Sequence, residues 1–132
     1  MKKTFKANKD SLPEVTEFVE DVLESLDCPM RETMQISVAV EEIFVNIASY
    51  AYPDTAGDAD VTIESTDNNI IISFEDSGVP FNPLDKEDPD VAAKAEGDSI
   101  GGLGIYMVKK TMDNVEYRYE NHHNLLVISK NW

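Results

Sequence analysis

Ile70-Ile71-Ile72-Ser73-Phe74-Glu75-Asp76-Ser77-Gly78-Val79-Pro80-Phe81 is an alternating apolar run that stops at a carboxylate and a glycine. Ile70, Ile72 and Phe74 fall on one side of an extended chain, so the run predicts a strand over 70–75 with one face on a core. Just before it, Asp67-Asn68-Asn69 is a turn signal, and 61–64 supplies a partner strand, so the pair reads as a hairpin. Further upstream the period changes from two to 3.6. Ile36, Val40, Ile43, Phe44, Ile47 and Ala51 make one apolar face of a helix over about 31–52, stopped by Pro53. Leu12, Val15, Val19, Val22, Leu23 and Leu26 make another, with Ser11 as its expected N-cap and Glu14 three residues on. Residues 3–7 alternate weakly and predict an edge strand.

Downstream of Phe81 the pattern lapses. Residues 82–99 are polar and irregular, with Pro83, Pro89 and Gly97 and room for one short helix near 91–95. Irregular stretches of this length in compact domains are functional covers or insertions. Ile105, Val108 and Met112 then form the inward stripe of a third helix. Residues 115–119 and 125–130 form a final hairpin across Asn121-His122-His123-Asn124. This order predicts an α+β two-layer sandwich, helices packed on one face of a mixed β-sheet. A chain of 132 residues fits one domain spanning 1–132.

Composition narrows the function. The chain has 26 acidic and 11 basic side chains, a formal charge of −15, which opposes binding to nucleic acid or anionic lipid. Cys28 is the only cysteine, which excludes an internal disulfide and leaves a thiol expected to pack. Met1-Lys2-Lys3-Thr4-Phe5 does not begin a signal peptide, and no run is long enough to span a bilayer; a cytoplasmic protein is expected. His122-His123 lacks a third ligand in register and reads as an exposed turn.

Three short boxes carry the chemistry. Glu42 and Asn46, in Glu42-Ile43-Phe44-Val45-Asn46, are one helical turn apart and share a stripe offset from the apolar face. The amide oxygen of Asn46 suits magnesium completed by phosphates, and the Glu42 carboxylate suits proton acceptance. Alone, such a pair reads as a solvated helix face. Asp76, followed by Gly78, can accept a hydrogen bond from the exocyclic amine of adenine, although Asp-Ser-Gly alone is an ordinary turn signal. Gly101-Gly102-Leu103-Gly104 opens the third helix, where backbone N–H groups and the helix dipole favour phosphate. It lacks the Lys-Ser or Lys-Thr ending of a P-loop. In this order on helix, strand and loop, the three read together as an ATP site.

These boxes resemble the N box and the two glycine boxes of the GHKL ATPases, the superfamily of gyrase, the sensor histidine kinases and the mismatch-repair ATPases. The likeness is closer to its small single-domain branch, the anti-sigma factor serine/threonine kinases, and runs through Tyr50-Ala51-Tyr52-Pro53, Asn82-Pro83 and Met112-Asp113 to the C-terminal strand. The resemblance implies an enzyme that uses ATP and Mg2+ to phosphorylate an anti-sigma factor antagonist, that sequesters a sigma factor, and that often dimerises. It implies Glu42 as general base and Asn46 as metal ligand. Asp76 and Gly78 would hold the base, Gly102 and Gly104 would hold phosphates, Val79, Leu103 and Ile105 would belong to the cofactor-binding set with Asn46, and about 82–101 would be the ATP lid. Residues 82–99 contain Lys86 and Lys94 but no Arg, whereas related lids bring an Arg to the γ-phosphate. Leu125-Leu126-Val127-Ile128 offers no Thr to assist Asp76, so weakened adenine binding is expected. Tyr50 stands where many anti-sigma kinases have a histidine. An ATP-binding module that works by partner sequestration without efficient phosphotransfer is the alternative reading.

Overall fold

The computed structural model describes residues 1–85 and 103–132. In chain order the elements are β1 (Lys2–Lys6), α1 (Leu12–Ser25), α2 (Met30–Tyr50), β2 (Asp58–Thr66), β3 (Asn69–Asp76), α3 (Leu103–Thr111), β4 (Asn114–Glu120) and β5 (His123–Asn131). The predicted short helix near 91–95, with Lys86 and Lys94, lies outside the described residues.

The five strands make one sheet in the order β1-β2-β3-β5-β4. Every pairing is antiparallel, which corrects the expectation of a mixed sheet. The reason is where the last strand goes. β3 and β4 run in the same direction, as strands joined through a helix do, but β5 folds back between them and pairs antiparallel with both. β1 takes the edge, as its weak alternation predicted.

Alternation sets the inward face. Val61 stands opposite Phe74, Ile63 opposite Ile72, Ile72 opposite Ile128 and Phe74 opposite Leu126, and all are buried. The helices close over this face. α1 contributes Val15, Val19 and Leu23, and α2 contributes Ile36, Val40, Ile43 and Phe44, all at most 1 % exposed. Each such side chain contributes about 1.5–3 kcal/mol through burial. Phe5 of the edge strand meets the rings of Phe18 and Phe44 at 6.0 and 6.5 Å, tying β1 to both helices.

Local details differ from the expected ones. Ser11 makes no side-chain cap on α1. A single 3-10 turn, Lys9–Ser11, precedes the helix, and Asn8 Oδ1 accepts the Ser11 N–H at 3.2 Å. The last hairpin is tighter than the four-residue turn expected. Asn121 and His122 alone form it, at φ 53° and 65°, so His123 and Asn124 belong to β5. Among the described residues no helix is long and apolar enough to cross a membrane.

Candidate nucleotide-binding site

The site lies where the C-terminal half of α2 meets the end of β3. Asp76 is the last residue of β3, and its inward position follows from the same alternation that buries Phe74 and Ile72. The carboxylate is 6 % exposed. Its Oδ1 accepts the Gly78 N–H at 2.9 Å and an Asn124 Nδ2–H at 2.9 Å. Burial pushes the Asp76 carboxyl above its ordinary range, and these two hydrogen bonds pull against that shift.

Asn124 is the residue the sequence reading missed. It is 6 % exposed and stands directly across the ladder from Asp76. The expected lack of a partner for Asp76 is therefore corrected, because the amide supplies the donor that a Thr was expected to supply. The signal was present only as a turn residue, since a four-residue loop assignment took Asn124 out of the strand.

The turn after β3 is bound to the end of α2. The Val79 N–H donates to the Ala51 carbonyl at 2.8 Å, and a Cβ on Gly78 would lie 2.1 Å from that same oxygen. Only glycine fits so close to the helix terminus. Tyr52 completes the brace: its hydroxyl donates to the Asp58 carbonyl at 2.7 Å and accepts the Ser77 N–H at 2.8 Å. Burial raises the Tyr52 hydroxyl above its ordinary range. Tyr50, half-exposed, stacks on Phe81 with ring centroids 5.0 Å apart.

Asn46, Asp76, Ile47, Phe74, Phe81 and Tyr117 are among the walls of one pocket. The lining is apolar apart from a few polar groups, which is the character of a site for a flat heterocycle. Asn46 Nδ2 donates to the Glu42 carbonyl one turn back at 2.9 Å, which points its amide oxygen away from the helix backbone. That oxygen has no hydrogen bond among the described residues.

Glu42 faces the first turn of α3. A Cβ on Gly104 would stand 1.9 Å from Glu42 Oε2, so the absence of a side chain at Gly104 is what admits the carboxylate. Burial, then the neighbouring Glu41 charge, raises the Glu42 carboxyl above its ordinary range. α2 thus sends one polar side chain to the Asp76 pocket and another to α3. A hard amide oxygen, a buried carboxylate, and a helix start cleared by a glycine are donors and acceptors that fit a nucleotide with its divalent cation.

Of the residues singled out in the sequence, Asn46 and Asp76 share the pocket, Gly78 hydrogen-bonds Asp76, and Glu42, one helical turn from Asn46, meets Gly104. Val79 differs: its side chain is 47 % exposed on the outer side of the turn, and only its backbone braces the pocket. Ile105 is buried. Leu103 begins α3, and Gly102 lies outside the described residues.

Three helices over an antiparallel sheet, with this cleft between α2, the β3 turn and the start of α3, are the architecture of a nucleotide-binding ATPase domain. Residues 5–130 match the family model described as the histidine kinase-like ATPase domain, and the chain belongs to that family, which implies ATP binding. It is similar to the serine-protein kinases RsbW of Bacillus cereus and Bacillus anthracis, at 26% identity over 96 residues, 70% of this chain. The chain spans 60% of the length of these curated relatives. Two solved structures share the fold. The catalytic domain of histidine kinase ThkA matches with TM-score 0.53 at 13% identity, over 98% of this chain and 97% of that one. A chain of the SiaB-SiaC complex from Pseudomonas aeruginosa matches with TM-score 0.52 at 12% identity, over 97% and 88%.

Proposed function

We propose that this chain is an ATP-dependent protein serine/threonine kinase of the anti-sigma factor type, acting on a small antagonist protein and sequestering a sigma factor. The observation that carries the reading is the joint placement of Asn46 and Asp76 on one pocket with Glu42 a turn away against Gly104. Similarity to RsbW and the SiaB-SiaC complex support a protein partner. Residues 1–132 act in this reading as one unit that is able to dimerise, with 82–101 as the cover of the nucleotide and the cytoplasm as its compartment.

Asp76, aided by Gly78 and the Val79 backbone, holds the adenine base. Gly102, Leu103, Gly104 and Ile105 present the start of α3 to the phosphates, where N–H groups and the helix dipole favour negative charge. Asn46 offers its amide oxygen to Mg2+, and that ion, when bound, neutralises charge on the triphosphate. Glu42 accepts the proton of the incoming serine or threonine hydroxyl. The hydroxyl oxygen bonds to the γ-phosphorus as the bond to the β-phosphate oxygen breaks, giving a phosphorylated partner and ADP. A base in this position contributes about 10²- to 10⁴-fold, the remainder coming from positioning and charge stabilisation.

The test is phosphotransfer from γ-labelled ATP with magnesium to a small antagonist protein of the anti-sigma factor type. Label should appear on serine or threonine, and Glu42→Gln should lower the rate at least about 100-fold while ADP still binds. Full transfer by that variant would remove Glu42 as base. The absence of Arg from 82–99 favours the second reading, a nucleotide-binding module without efficient turnover. ADP binding with no label transferred by the wild type would select it.

A further inference from the structure

The ladder between β3 and β5 places Asp76 and Asn124 directly opposite one another, both inward and both 6 % exposed. A slip of one residue in that register would turn Asn124 to the other face of the sheet. At this position the amide is fully engaged. Nδ2 donates to Asp76 Oδ1 at 2.9 Å and to the Val79 carbonyl at 2.9 Å. Oδ1 accepts the Phe81 N–H at 3.2 Å and also the Tyr117 hydroxyl. Tyr117 lies beside it on β4, across from Leu126. Two donors therefore point at Asn124 Oδ1, and a flipped amide would set its N–H groups against both of them. The direction of the amide is decided by its neighbours.

The consequence falls on Asp76. Its Oδ1 is taken by Gly78 and Asn124, and Oδ2 has no hydrogen bond among the described residues. We propose that Asn124 is the specificity-determining positioning residue of this pocket, holding Asp76 so that Oδ2 is its free acceptor toward the base and selecting an amino-bearing purine over an oxo-purine. The inference rests on the nucleotide reading above and adds a residue to it. An exocyclic amine meeting Oδ2 donates a hydrogen bond. The carbonyl of guanine at the same place sets one acceptor against another. Asn124 also carries the restraint onward, since Val79 and Phe81 hang on the same amide. One side chain thereby fixes the carboxylate and the turn that follows it.

Calorimetric binding of ADP and GDP in the presence of magnesium tests the assignment. The wild type should prefer ADP. Asn124→Asp is nearly isosteric but replaces the donor by a second carboxylate next to Asp76, so at about pH 8 ADP affinity should fall about 10- to 100-fold. As pH is lowered the carboxylate pair can share a proton and part of the ADP affinity should return, whereas Tyr117→Phe, which adds no charge, should show no such recovery. Glu75 on β3, His123 on β5, Tyr52 and Tyr117 are the other titratable groups acting on or near Asp76, and all are retained in the variant. Tyr117→Phe removes only the hydroxyl that orients the amide. It should lower ADP affinity several-fold and narrow the preference over GDP, and it guards against a misfolded Asp variant. A folded Asn124→Asp protein within twofold of wild type at pH 8, or Tyr117→Phe with affinity and preference unchanged, overturns the role of Asn124 and leaves the nucleotide site standing. A wild type that binds neither nucleotide overturns both.

Discussion

Glu42 and Asp76 are two carboxylates that the fold holds at a cost. Each is raised above its ordinary range, chiefly by burial, so the folded state binds a proton more readily than the unfolded chain does. The sign follows from that difference. The contribution of these two groups to stability is largest where both are protonated, declines as pH rises from the unfolded value through the folded one, and stays lower above it. Among the described residues no hydrogen bond opposes the shift of Glu42, whereas Asp76 has Gly78 and Asn124 to offset it. Glu42→Gln should therefore raise Tm at neutral pH and converge with the wild type in the acid range below about pH 4, close to the reference carboxylate value. Thermal unfolding followed across pH measures this, and a variant that melts lower than wild type at pH 7 would contradict it. A polar group whose neutral replacement stabilises the protein is one retained for another reason, as sites are.

The hairpin joining β4 to β5 determines where Asn124 lies. Its two central residues, Asn121 and His122, both have positive φ, the condition of the tight turn whose twist matches paired strands. Asn tolerates that region, but His carries a Cβ penalty there. His122→Gly should relieve it, stabilising the protein by about 0.5–1 kcal/mol without moving the register, since glycine reaches this region at no steric cost. Chemical denaturation reads the gain, and unchanged ADP affinity reads the register. Loss of stability would mean that the imidazole makes a contact worth more than the strain. α2 shows the same economy at element scale. One helix carries Ile36, Val40, Ile43 and Phe44 into the core and turns Glu42 and Asn46 toward the cleft, because their stripe is offset by about a quarter turn or more from the apolar one.

At the scale of the molecule the charge of −15 dominates. Glu17, Glu20, Asp21, Glu24 and Glu41 line one groove between α1 and α2, and the ion pairs recorded among the described residues, Lys2 with Asp60 and Arg118 with Glu120, lie at the surface. Surface pairs of this kind contribute about 0–1 kcal/mol and do not offset the self-repulsion of the whole. Salt screens that repulsion over a Debye length of about 10 Å at 0.1 M. Raising sodium chloride from about 10 mM to about 200 mM should raise Tm by a few degrees, as differential scanning fluorimetry would register. A Tm that falls with salt would show attractive pairs outweighing repulsion.

Much of this was readable in order along the chain. Periodicity located α1, α2 and the inward side of α3, alternation located β2 and β3, and the Glu42, Asp76 and Gly104 boxes were visible as local patterns, because helix and strand periods are local properties of a chain. Other features were not. The insertion of β5 between β3 and β4 depends on pairing between distant segments, and it made the sheet antiparallel throughout where a mixed one was expected. The Asn8 cap and the two-residue turn at Asn121-His122 depend on backbone geometry that several sequences share. Asn124 followed from both: it entered the strand because the turn was short, and it met Asp76 because the ladder placed it there. By itself the sequence determined the elements, their buried faces and the kinds of groups available to a nucleotide. Only the tertiary structure decided which of those groups touch, since hydrogen bonds between residues 48 positions apart exist only once the register that brings them together has been chosen.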